Sequence, residues 1–191
     1  LSQATPNDEF LQAVMNAAEA CARFGETLIQ TNDPMKRAGV RTGIYMEYAV
    51  LFVTIGLREA RKLRVPQNDQ RQLTRLCFDT LSQKFCDGVR SRSEPPVSAQ
   101  EEAESFTRVR AELLKKAQTM DNFWNSLASM EDKEKFVVVF GLAANEALAK
   151  CGRSAEWDQW KKPLVMTALE AWKSTLFVQV LRPLAAMKQE A

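Results

Sequence analysis

Residues 44–57 read Ile44-Tyr45-Met46-Glu47-Tyr48-Ala49-Val50-Leu51-Phe52-Val53-Thr54-Ile55-Gly56-Leu57, and this stretch decides the fold. Its only non-apolar side chains are Glu47 and Thr54. A helix of this composition is apolar nearly all round, so other segments must cover it on most sides. At ~1.5 Å per residue the run spans about 21 Å, short of the ~30 Å that a membrane crossing needs. The reading is a buried core helix and no transmembrane segment. Asp33-Pro34 supplies an N-cap followed by a first-turn proline. Arg58, Arg61, Lys62 and Arg64 crowd the far end, where the helix dipole favours cations, and Pro66 stops the helix.

The polar exceptions fall on one line. Lys36, Gly43, Glu47, Thr54, Arg58 and Arg61 share a narrow stripe of a 3.6-residue helix. That stripe is either the helix's strip of solvent or a place where buried Glu47 is satisfied by an arginine or tyrosine from elsewhere. A functional reading makes it a polar ligand seat inside the bundle, which requires a cavity beside Glu47.

Outward from this helix, every segment reads as helical. Thr5-Pro6-Asn7-Asp8 starts a helix running to about Ile29, with Phe10, Val14, Ala17 or Ala18, Cys21, and Phe24 or Leu28 on its buried face. Another begins near Asn68-Asp69 and carries Leu73, Cys77, Leu81 and Phe85 at four-residue steps. Residues 90–98, with Pro95-Pro96 among serines and charges, form an exposed connector between two packed halves, 1–89 and 99–191. Ser98 and Glu101 form a capping box that opens a long amphipathic helix through Phe106, Val109, Leu113, Ala117, Met120, Trp124 and Leu127. Phe136–Ala144 is a second all-round apolar run, followed by Trp157 and Trp160, a stop or kink at Pro163, and a last long helix before Pro183. Each half thus places an apolar helix with a late glycine (VTIGL, then VVFGL) between amphipathic ones. An old duplication explains this, and so does the general similarity of buried helices.

Composition bounds the chemistry. With no histidine, the chain has no Ser-His-Asp or Cys-His catalysis and no histidine-based metal centre. The four cysteines, Cys21, Cys77, Cys86 and Cys151, lack CxxC spacing and read as small buried hydrophobes in a reducing, cytoplasmic setting. No phosphate loop, GxSxG or calcium-loop pattern is present, and carboxylate pairs such as Glu101 with Glu104 lie on solvated stretches. No metal or cofactor is expected. Net charge is only +2, but from Lys36 to Arg75 nine basic residues stand against three acidic ones. The chain opens on Leu1 instead of methionine, which we read as a processed or trimmed start.

One local pattern points elsewhere. Ala38-Gly39-Val40-Arg41-Thr42-Gly43-Ile44-Tyr45 resembles the turn and recognition-helix start of tetracycline-repressor-type regulators, with the glycine-to-tyrosine spacing one residue short. The resemblance covers about twenty residues, counting Gly25 upstream. It implies a DNA-binding regulator in which Lys36, Arg37, Arg41 and Thr42 contact phosphates and bases.

The sequence as a whole predicts a single all-α domain over 1–191: a six- to seven-helix bundle with two central apolar helices. Its expected function is that of a non-enzymatic adaptor that binds another protein, or a second copy, through Arg58, Arg61, Lys62, Arg64, Arg71, Arg75, Trp124, Trp157 and Trp160. Two alternatives stay open: the DNA-binding regulator, and a carrier of small apolar ligands or lipids with a cavity between the two apolar helices.

Overall fold

The computed structural model describes residues 5–28, 33–91, 98–150, 157–174 and 177–186, with the side chains of 28, 150 and 157–160 left out. These residues form a helical bundle with no strand among them. The helices are α1 (Pro6–Leu28), α2 (Pro34–Lys62), α3 (Gln67–Arg90), α4 (Ala99–Ser126), α5 (Asp132–Lys150), α6 (Trp157–Ser174) and α7 (Phe177–Ala186).

Local chemistry sets three of the starts. Thr5 and Asp8 cap α1 reciprocally: Asp8 N–H donates to Thr5 Oγ1 at 3.2 Å, and Thr5 N–H to Asp8 Oδ2 at 3.1 Å. Asp33 Oδ1 accepts from Met35 N–H at 2.9 Å, with Pro34 in the first turn. Ser98 and Glu101 close the capping box of α4. The end of α2 is less regular. Arg64 takes a φ of 60°, and Arg64 and Val65 N–H groups bond back to Arg61 and Ala60 carbonyls. This is a helix-ending motif in which glycine is the usual residue, so the helix has already stopped before Pro66.

α2 is the axle of the bundle. It packs against α1, α3, α4, α5 and α7, and every residue from Ile44 to Gly56 is buried. α1 runs antiparallel along it, each helix giving up a side chain for a bulky residue of the other. A Cβ on Gly56 would fall 2.5 Å from the Phe10 ring, and one on Gly25 would strike Ile44. Glycine is needed at both points for the helices to approach this closely. Aromatic rings fill the other side: Phe52 lies 5.9 Å from Phe140, 5.9 Å from Phe177 and 6.3 Å from Trp172. Those rings come from α5, α7 and α6, so the core is continuous across both halves of the chain.

Several sequence expectations change. α2 is 29 residues long, so it and the Lys161–Ala186 stretch both have the length and composition of a membrane span. In α2, 78% of the most apolar window is buried by other helices, which spend that surface on protein contacts. The second apolar run is not central in the same sense, because Val137 of α5 is 52% exposed. Gly39 and Gly43 lie inside α2, so Ala38–Tyr45 forms no turn between helices and the geometry implied by the repressor resemblance is not made. Pro163 does not end its segment, since α6 continues through it to Ser174, and Pro183 lies inside α7. Most of the 90–98 connector (residues 92–97) and Cys151 lie outside the described residues.

Candidate functional site

The polar stripe of α2 faces α4. Glu47, 1% exposed, is ion-paired with Lys116 of α4, a lysine where the sequence suggested an arginine or a tyrosine. Thr54, also buried, donates its hydroxyl to the Val50 carbonyl at 2.8 Å. The Lys116 ammonium takes the position beside the Glu47 carboxylate. Between α2 and α5 the Phe52 and Phe140 rings meet edge to face, 5.9 Å between centroids.

The basic stretch of sequence is largely neutralised in three dimensions. Arg41 pairs with Glu19 and Glu26 of α1, Arg37 with Glu26, and Lys62 with Glu59 and Asp132. Arg58 and Arg61 share Asp121 of α4, and the Arg58 guanidinium lies 5.1 Å from the Trp124 ring centroid. Burial raises the pKa of Asp121, but the Arg61 and Arg58 hydrogen bonds and charges outweigh it and hold the carboxyl below its ordinary 3.8. Trp124 is only 4% exposed and packs edge-on against Phe136. Arg58 and Trp124 are therefore part of the helix packing and do not form an exposed surface. Arg64 is exposed and without an acidic partner among the described residues. Trp157 and Trp160 belong to α6, and their side chains lie outside the described residues.

The remaining candidates converge. Arg61, Arg71 and Arg75, with Thr54, line a groove of about 540 Å³ where α2, α3 and α4 meet. α4 adds Arg110, which the sequence reading missed, and Asp121. Leu57, Phe78, Leu114 and Ala117 give the groove apolar lining, and Gln67, Gln70 and Gln118 add neutral polar groups. The volume falls within the ~300–1,000 Å³ typical of specific ligand clefts.

The electrostatics follow from shared acids. Asp79 accepts from Arg110 and lies 3.5 Å from Arg75, so one carboxylate serves two guanidiniums. Asp121 does the same for Arg58 and Arg61. Arg71 is exposed and has no acidic partner among the described residues. Five arginines against two aspartates leave three uncompensated positive charges around the groove. α3 opens at the groove's edge with Gln67, and no side chain caps its first turn. The site reaches from residue 54 to residue 121, so its arginines come together only through helix packing.

Little in the groove is suited to bond-making chemistry. Thr54 and Thr74 donate their hydroxyls to helix carbonyls, at 2.8 and 2.7 Å. Asp121, the one acidic group lining it, is held ionised between two arginines. Elsewhere, burial pushes the Cys21 and Cys77 thiols up to about 12, which leaves them unreactive at neutral pH. Among the described residues no group of three or more Cys, Asp or Glu is placed to hold a metal ion. Comparison with protein-family models, with curated proteins and with solved structures finds no match.

Proposed function

We propose that this protein is a non-enzymatic interaction module that docks another protein in the groove between α2, α3 and α4. One observation carries the reading: an open cleft of about 540 Å³ combines apolar lining with four arginines, Arg61, Arg71, Arg75 and Arg110. Arginine beside exposed apolar surface is the usual composition of a protein-binding hot spot, because a guanidinium keeps directional hydrogen bonds while its stem packs against apolar groups. The DNA-binding alternative has less support, since Arg37 and Arg41 are engaged by acids of α1 and Arg41 is part-buried.

Site-specific photocrosslinking in the native host tests this. A photoreactive residue at Gln118, exposed on the groove's edge, is expected to capture a discrete protein partner. The same residue at Glu146, exposed on α5, is expected to capture none of it. Combining the Gln118 probe with Arg71→Glu and Arg75→Glu should reduce capture at least about tenfold, as expected for hot-spot arginines. Equal capture from both positions, or none from Gln118, overturns the proposal.

A further inference from the structure

Resting on that reading, we infer that the segment which enters the groove is an acidic amphipathic helix of the partner protein. The argument starts from charge. Arg71 and Arg75 stand four residues apart on α3, so their side chains lie about 6 Å apart along the helix axis. Carboxylates three or four residues apart on a docked helix have the same repeat. Arg71 has no acidic partner within the described chain, and Arg75 shares Asp79 with Arg110. The groove therefore offers positive charge that the protein does not neutralise itself, and guanidinium–carboxylate pairs are the directional way to use it.

The lining selects against other anions. Leu57, Phe78, Leu114 and Ala117 are apolar, and a phosphate backbone gains nothing from them. A ligand with acids on one face and apolar side chains on the other uses both parts of the groove. The backbone form follows from the walls. All three are helices, whose interior N–H and C=O groups are spent within the helix, so the groove walls offer no sheet edge to pair an extended peptide. A docked helix satisfies its own backbone and needs only side-chain contacts.

The test is a selection from a peptide display library of acidic, basic and neutral sequences, run on the full chain. The parallel baits are Arg71→Glu/Arg75→Glu, changed at exposed positions, and Ala117→Arg, which fills the groove; circular dichroism checks that both stay folded. Expected is enrichment of sequences with Asp or Glu at i, i+3 or i, i+4 and apolar residues on the opposite face, lost on both variants. The best such peptide should bind in fluorescence anisotropy, weaken at least about tenfold on Arg71→Glu/Arg75→Glu, and weaken with added salt. Neutral or basic helices that are lost on Ala117→Arg would overturn the acidic occupant while leaving protein docking at the groove in place. Enrichment indifferent to both variants would overturn both readings. Displacement of the peptide by millimolar inorganic phosphate would reassign the groove to small anions. Self-association of the free protein, lost on Arg71→Glu/Arg75→Glu, would reassign it to a second copy.

Discussion

In α2 every residue from Ile44 to Gly56 is buried, whereas in α5, whose Phe136–Ala144 run is as apolar, Val137 stays 52% exposed and Leu142 only partly buried. The difference is one of neighbours. α2 is enclosed by α1, α3, α4, α5 and α7, while α5 leans on α2 and α6 and only lightly on α4. An apolar run states what a helix can bury; the number of helices around it decides what it does bury. The late glycines diverge in the same way. Gly56 is a point of close approach to Phe10, while a Cβ on Gly141 would meet the far end of the Lys161 side chain, Cε at 3.3 Å and Nζ at 3.9 Å.

The sharpest way to break this contrast is truncation. Phe52→Ala, at the centre of the aromatic cluster, should cost about 3–5 kcal/mol in chemical denaturation. Val137→Ala should stay within about 0.5 kcal/mol of wild type. Comparable losses would show that α5 is as enclosed as α2. The next largest effect concerns how α4 is held. Met120 and Trp124 are the buried residues of α4, so its contact with α2 relies more on Lys116–Glu47 and on Asp121. Lys116→Met should cost about 3 kcal/mol by removing the cation that faces a buried carboxylate, and Glu47→Leu in the same chain should recover most of the loss. Failure to recover would mean that the pair is not a self-contained unit.

The glycines give opposite signs. Gly56→Ala should destabilise by about 1–3 kcal/mol through collision with Phe10. Gly141→Ala should stabilise by up to about 1 kcal/mol, because Lys161 can swing aside and alanine favours the helix. Thermal melts of the two variants would undo the comparison if both moved the same way. Tyr48 tests the cost of full enclosure. Burial pushes the pKa of its hydroxyl well above 10, and its oxygen has no hydrogen-bond partner among the described residues. Tyr48→Phe should therefore raise stability by about 1 kcal/mol.

Acid should act on α4 before the aromatic core. Asp121 has a folded-state pKa below its ordinary 3.8, so its contribution is complete above that value and is lost as pH falls through the folded value. Stability measured between about pH 4 and pH 2 should fall less steeply in Asp121→Asn than in wild type. Equal slopes would show that other acids govern the acid limb.

Much of the helix plan is legible because capping is local. Thr5 with Asp8, Asp33 with Pro34, and Ser98 with Glu101 each close within four residues, so the chain announces these starts wherever it is read. The interior of α2 misleads for a related reason. Gly39 and Gly43 each lower helix propensity by about 1 kcal/mol, which makes Ala38–Tyr45 look like a turn. The helix persists because Val40 and Ile44 are buried and Arg41 is tied to Glu19 and Glu26.

The sequence alone determined that the fold is helical, where the capped helices begin, and which stretch is buried deepest. Periodicity and caps act over one or two turns, so they are readable without coordinates. Tertiary structure decided which charges remain free. Much of the basic excess from Lys36 to Arg75 is offset by Glu19, Glu26, Asp121 and Asp132, and a carboxylate sixty residues away leaves no trace in local composition. It also drew Arg58 and Trp124 into the helix packing and brought Arg110 beside Arg61, Arg71 and Arg75. A groove between three helices belongs to their packing, because charge and shape there depend on distances through space and not on separation along the chain.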